Sequence, residues 1–194
     1  TKWVNRVLFT HDGKRVISAS DVATVRIWDA DQGREASKPI STGAQVNCIS
    51  LSRDDRLLAV ALASGRIQLR DLRGGLKGNL SGHTSGIFCV AFSSDDTRLV
   101  SGSADRSIRI WEVAGRRELA TLWGHDHTVL NVTFSPDDQL VASSSQDHTV
   151  RLWDVVRGRQ TRLLSGHLAQ VYGLAFNPDG SLLATGSADH KLIL

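Results

Sequence analysis

Methionine is absent from all 194 residues, cysteine occurs only twice, and no apolar run approaches the length of a membrane-spanning helix. Each shortage excludes something. A helix that crosses a bilayer needs about 20 mostly apolar residues, so no membrane role is expected. Cys48 and Cys89 have no metal-ligand spacing, and two thiols are too few for a disulfide framework. They favour a reducing compartment mildly, which points to the cytoplasm and leaves the nucleus open. Signatures of common chemistry are missing too: no Gly-rich loop opens a helix, no HExxH occurs, and no nucleophile sits in a recognisable setting. No enzyme activity and no cofactor is expected. The lack of methionine is read as the mark of an internal piece of a longer polypeptide. What remains is 41% hydrophobic and 22% charged, ordinary for a globular chain, with a net charge of +3 too small to argue for nucleic acid.

What the chain does have is repetition. Gly-His recurs at Gly82-His83, Gly124-His125 and Gly166-His167, and the first two pairs are followed by Trp111-Glu112 and Trp153-Asp154. His and Trp stand 28 positions apart in both complete units. The first apolar residue of each unit is Val4, Val46, Ile87, Val129 or Val171, in steps of 42, 41, 42 and 42. Within the fourth unit, Val129–Phe134 alternates with period two, Ser135-Pro136-Asp137-Asp138 is a turn, and further strands are expected at 140–145, 149–154 and 160–164. Turns at His11-Asp12-Gly13, Arg53-Asp54-Asp55, Ser94-Asp95-Asp96 and Pro178-Asp179-Gly180 repeat the plan, leaving no room for helix.

Gly-His opening and Trp-Asp closing a unit of about 40 to 45 residues resembles the WD repeat over essentially the whole chain. The resemblance implies an all-β fold: a WD40-type β-propeller fragment of four four-stranded blades plus an incomplete fifth, at roughly 1–41, 42–81, 82–123, 124–165 and 166–194. Both ends cut through a repeat. A closed ring takes about seven blades in this family, so the remaining blades are expected beyond both ends.

The resemblance also implies a buried hydrogen-bonded network of His83, Asp105 and Trp111 in the third unit and His125, Asp147 and Trp153 in the fourth. His167 and Asp189 start the same set in the fifth, and Trp28 ends it in the first. Its hydroxyl is Ser101 or Ser103, and Ser143 or Ser145, with Ser101 and Ser143 preferred. Recurrence in successive blades argues for a structural network and against a hydrolase triad. The second unit departs from the pattern, with Ser41-Thr42 for Gly-His, Ser64 for Asp and Arg70 for Trp, so this blade should be the least rigid unless Arg70 reaches a partner. In the first, the turn Ser20-Asp21-Val22-Ala23-Thr24 is read as one residue longer, displacing the aspartate.

Other candidates are weaker. His125-Asp126-His127 is the one clustered metal-like motif, but His125 already belongs to the Gly-His signature. Arg26, Arg109 and Arg151 occupy equivalent third-strand places and read as a solvated face. Arg116, Arg117, Arg157, Arg159 and Arg162 gather near the turns between third and fourth strands, away from the usual contact rim.

In WD-repeat propellers the stretch entering each first strand leads from the upper rim into the central channel. The resemblance places contact residues at Trp3, Asn5, Gln45, Asn47, Phe88, Leu130, Gln170 and Tyr172, with Gly86 and Thr128 at the small positions. Phe88 and Leu130 also suit packing between blades, and Trp123 is a further candidate for exposure. The expected function is a non-catalytic scaffold that binds a protein or peptide through its upper rim. The alternative is the sensor or targeting arm of a larger signalling enzyme, a STAND-type ATPase or a protein kinase. A nucleic-acid partner ranks below both.

Overall fold

The computed structural model describes residues 3–194 and contains strands and turns, with no helix among the described residues. Blade 1 comprises β1 (Val4–Phe9), β2 (Arg15–Ser20), β3 (Thr24–Asp29) and the short β4 (Ile40–Ser41). Blade 2 comprises β5 (Val46–Leu51), β6 (Leu58–Leu62), β7 (Arg66–Arg70) and β8 (Leu76–Ser81). Blade 3 is β9 (Ile87–Phe92), β10 (Arg98–Ser103), β11 (Ile108–Glu112) and β12 (Arg117–Leu122). Blade 4 is β13 (Val129–Phe134), β14 (Leu140–Ser145), β15 (Val150–Asp154) and β16 (Arg159–Leu164). Blade 5 has three strands, β17 (Val171–Phe176), β18 (Leu183–Ser187) and β19 (Leu192–Ile193).

Each blade is an antiparallel meander in chain order. The first strands β1, β5, β9, β13 and β17 lie side by side and surround a cavity of about 610 Å³. The five sheets thus stand in a ring, innermost strand first. Val129 and Val132 of β13, the innermost strand of blade 4, are buried in the core that joins neighbouring blades. One apolar cluster joins blades 2 to 4 and includes Trp111 and Trp153; another joins blades 1 and 2 around Ile17, Ile27 and Leu58. Strand β6, in the middle of blade 2 and flanked on both faces, is buried at every residue, whereas β16 is exposed throughout. Cys48 and Cys89 are buried and free, as small hydrophobes in equivalent places would be.

The turn after each first strand supplies a tie that its Asp-rich sequence does not announce. Asp55, Asp96 and Asp138 adopt positive φ (57°, 60° and 57°), a conformation aspartate tolerates better than most L residues. Each carboxylate reaches back to the preceding blade. Both oxygens of Asp55 accept the backbone N–H of His11 (3.1 and 3.0 Å), those of Asp96 the N–H of Arg53 (2.8 and 2.9 Å), and those of Asp138 the N–H of Ser94 (2.9 and 2.9 Å). At the next joint both halves are missing: Pro136 has no N–H to give, and Gly180 (φ 74°) has no carboxylate to receive it. The two residues still face each other, since a Cβ on Gly180 would lie 3.3 Å from Pro136 Cδ.

Asp96→Gly keeps the positive φ free of strain and removes only the carboxylate. It should lower stability by about 1–2 kcal/mol, read from the midpoint of urea unfolding. Gly180→Asp should gain nothing while residue 136 is proline, and should become stabilising when combined with Pro136→Ser.

Candidate functional site

Two layers of polar structure define the upper rim. Deeper in the blade lies a directed chain of hydrogen bonds. Trp111 Nε1–H donates to Ser101 Oγ (2.8 Å), the Ser101 hydroxyl donates to His83 Nε2 (2.8 Å), and His83 Nδ1–H donates to Asp105 Oδ2 (2.8 Å). This single arrangement of protons satisfies every group. Blade 4 repeats it through Trp153, Ser143, His125 and Asp147, at 2.8, 2.8 and 2.7 Å. Blade 5 holds His167 between Thr185 and Asp189, both at 2.9 Å. The preferred hydroxyls are therefore the right ones; Ser103 and Ser145 instead reach carbonyls of the loop, Gly86 O at 3.0 Å and Thr128 O at 2.9 Å.

Glycine precedes the histidine for a reason of space. A Cβ on Gly82 would lie 2.5 Å from Arg109 Nη1 and 3.0 Å from the Trp111 ring; on Gly124 it would lie 2.9 Å from Arg151 Nη1 and 3.0 Å from the Trp153 ring. These arginines correct the solvated-face reading. The Arg109 side chain is only 14% exposed and paired with Glu118 across the β11–β12 ladder, and Arg151 donates to Gln160 (2.6 Å) in the same way. The guanidinium closes over the buried indole instead of standing in water. Arg26, paired with Glu35, stays nearer the surface.

Blades 1 and 2 carry variants. Trp28 donates to Ser18 (2.9 Å) over the same sequence interval as Trp111 to Ser101, and Ala23 takes the positive-φ place of Arg106 (59° and 71°). The hairpin therefore holds no extra residue, contrary to the sequence reading; Val22 occupies the aspartate's place and Asp21 stands one position early. In blade 2, Arg70 does not reach outward. Its guanidinium donates to Gln68 Oε1 (2.8 Å), Gly74 O (2.8 Å) and Ser41 O (3.1 Å), so a second network replaces the first. The His125-Asp126-His127 motif binds no metal through His125, whose ring nitrogens are both engaged, and no metal-holding cluster occurs among the described residues.

The outer layer is the rim itself. In every blade the residue before the first strand accepts a backbone N–H from the turn between second and third strands: Trp3 O from Asp21, Gln45 O from Ala63, Gly86 O from Ala104, Thr128 O from Gln146 and Gln170 O from Ala188, at 2.9–3.1 Å. Just inside, the pairing of first and second strands slips by one residue between Val4 and Arg6, Val46 and Cys48, Ile87 and Cys89, Val129 and Asn131, and Val171 and Gly173. Asn5, Asn47, Phe88, Leu130 and Tyr172 are thus each the unpaired residue of a β-bulge, a device that re-aims a side chain out of the ladder.

The bulges bring the expected contact residues to one rim but give them different work. Phe88 and Tyr172 are 41% and 54% exposed, and Trp3 is 80% exposed; Leu130 is half-buried. Asn5 and Asn47 are ties between blades: Asn5 Nδ2 donates to Val46 O (2.8 Å) and Asn47 Nδ2 to Ile87 O (2.9 Å). Asp21, not singled out from sequence for this role, accepts from both Asn5 (2.6 Å) and Gln45 (2.8 Å). Gln170 accepts the Tyr172 hydroxyl at 2.5 Å. Trp123 is exposed.

The family model described as "WD domain, G-beta repeat" matches residues 1–29, 74–112, 116–154 and 158–194. The chain belongs to the WD-repeat family. The longest stretch this family model leaves unmatched, 30–73, covers the part of the second unit in which Thr42, Ser64 and Arg70 replace the usual network. The chain is similar to the Caenorhabditis elegans "Transcription factor unc-37", 33% identical over 110 residues, which is 56% of this chain and 18% of that protein. It is also similar to the Xenopus tropicalis "WD repeat-containing protein 1", 44% identical over 80 residues, 39% of this chain and 13% of that protein. The matches span less than a fifth of either relative.

Two outcomes follow from the WD-repeat network. Trp111→Phe keeps an aromatic ring but removes the N–H, leaving the buried Ser101 oxygen without its donor, and should lower stability by about 1–3 kcal/mol in urea unfolding. Acid should act through the same groups. Hydrogen bonds from Ser107, Thr84 and His83 outweigh burial and hold the Asp105 carboxyl down at about 2, while burial lowers the pKa of His83. A lowered folded-state value means the unfolded chain binds protons first. Stability is therefore full at neutral pH, begins to fall as unfolded histidine titrates near pH 6.5, and falls further between about pH 4 and 2. A rise in stability over that descent would contradict the assignment of a neutral His83.

Proposed function

We propose that this chain is a non-catalytic platform that captures a protein or peptide on its upper rim. The observation that carries the reading is the row of five bulges. One extra residue in each innermost strand turns a side chain away from the ladder, and the residues so presented differ from blade to blade while the frame beneath them repeats. Rigid strands hold the bulges, so a ligand can be bound without a large cost of ordering the receptor. Phe88 and Tyr172, with the exposed Trp3 at the equivalent edge of blade 1, supply the aromatic side chains that dominate contact energy in small interfaces. The histidine, serine and aspartate sets support no catalytic reading, because Ser101 and Ser143 are fully buried and each hydroxyl oxygen is taken by an indole N–H, so no substrate reaches it. Scaffolding is what WD-repeat propellers generally do, and the two relatives carry names that describe no enzyme.

Phe88→Ala combined with Tyr172→Ala should abolish retention of partner proteins from cell extract, quantified by mass spectrometry, with an unchanged unfolding midpoint. Val156→Ala, at an exposed lower-rim turn, should leave the retained set intact. Undiminished retention by the double variant would remove the upper-rim assignment.

A further inference from the structure

The rim is divided chemically, and the division deepens the reading above and rests on it. Blades 3, 4 and 5 place apolar or aromatic residues at the bulge, Phe88, Leu130 and Tyr172, whereas blades 1 and 2 place the amides Asn5 and Asn47 there. A second set of equivalent positions follows the same split. The tips of the hairpins between second and third strands, all at positive φ, are Ala23 and Gly65 in blades 1 and 2 but Arg106, His148 and His190 in blades 3 to 5. These three side chains are exposed, and none makes a side-chain hydrogen bond or ion pair among the described residues.

Their backbone makes the choice of residue informative. At φ values of 71°, 69° and 66°, glycine is the unstrained residue, and blade 2 uses it at Gly65. Blade 1 accommodates alanine in the same conformation, so the tip accepts an L residue; blades 3 to 5 are set apart by carrying exposed nitrogen donors there, one guanidinium and two imidazoles. The neighbouring aspartates do not occupy these donors, because Asp105, Asp147 and Asp189 turn their carboxylates inward to His83, His125 and His167. Asp126, in the loop before β13, is the exposed acid of this sector, and His127 stands beside it.

We propose that blades 3 to 5 bind an extended acidic segment of a partner protein that carries an apolar anchor. The anchor rests on Phe88, Leu130 and Tyr172 at the channel mouth, and flanking carboxylates point outward to Arg106, His148 and His190. Arg106 can hold a carboxylate through two parallel N–H bonds, and the imidazoles donate to the others. Complementary charge of this kind sets orientation and choice of partner more than raw affinity. A nucleic acid fits less well: one permanent cation among the three tips, an aliphatic Leu130 and the nearby Asp126 make a poor phosphate track.

The test uses fluorescence anisotropy with two labelled peptides that share a central Leu-Phe pair, one flanked by glutamates and the other by lysines. The glutamate peptide should bind at least tenfold more tightly, and the preference should shrink with added salt. It should vanish in the triple variant Arg106→Gly, His148→Gly and His190→Gly. Glycine relaxes all three tips, so this variant should unfold no earlier than the parent, and its loss of preference cannot be laid to misfolding. Equal binding of the two peptides, or a preference that survives the triple variant, overturns the acidic partner and leaves the rim site standing. Binding of neither peptide overturns the proposal and counts against the rim reading beneath it. Tighter binding of a labelled single-stranded oligonucleotide, lost in the triple variant, would replace the peptide with a nucleic acid.

Discussion

A one-way chain of hydrogen bonds from indole to hydroxyl to imidazole to carboxylate holds each regular blade together, and the rim depends on it. The histidine lies in the loop before the innermost strand, the hydroxyl in the second strand, the aspartate in the next turn and the tryptophan in the third strand. Four segments far apart in sequence are thereby fixed relative to one another in a dry interior, where a group left without its partner is costly. In blades 3 to 5 the loop and the turn are both clamped, and the bulge between them falls at the same register each time. Variation at the bulge then changes what the rim offers without changing where it offers it.

The repeats made the fold legible. Period-two alternation located β13, and the interval of 28 from His to Trp located the buried network down to the preference for Ser101 over Ser103. Strand boundaries in the fourth unit agree with the structure to within a residue. What escaped the sequence was register. A bulge shifts the alternation by one residue, but Val46 and Cys48 are apolar on both sides of the slip, so Val46-Asn47-Cys48 reads like ordinary alternation and gives no sign of a re-aimed side chain. Ties between blades escaped for a similar reason, since Asp55, Asp96 and Asp138 look like plain turn residues until the preceding blade is set against them. The first hairpin was misread because Asp21 sits one position before the usual aspartate, which mimics an insertion; the Ser18 to Trp28 interval was the signal that could have corrected it.

Blade 2 shows how far the frame can drift. With Val60 in the hydroxyl's place there is nothing for an indole to donate to, and a guanidinium fills the same place. Arg70 spans Gln68 and two backbone carbonyls, and β6 beside it is buried at every residue. A polar tie across the outer half of a blade is thus kept while its chemistry is exchanged.

The directed chain also sorts the seven histidines by reactivity. In His83, His125 and His167 one nitrogen gives its proton to a carboxylate and the other takes one from a hydroxyl, so no lone pair faces an acylating or alkylating reagent. His127, His148 and His190 stand exposed on the upper rim. A reagent that modifies imidazole would therefore mark the upper rim of the folded ring, together with the exposed His11 at the opposite edge, and leave the buried frame chemically silent.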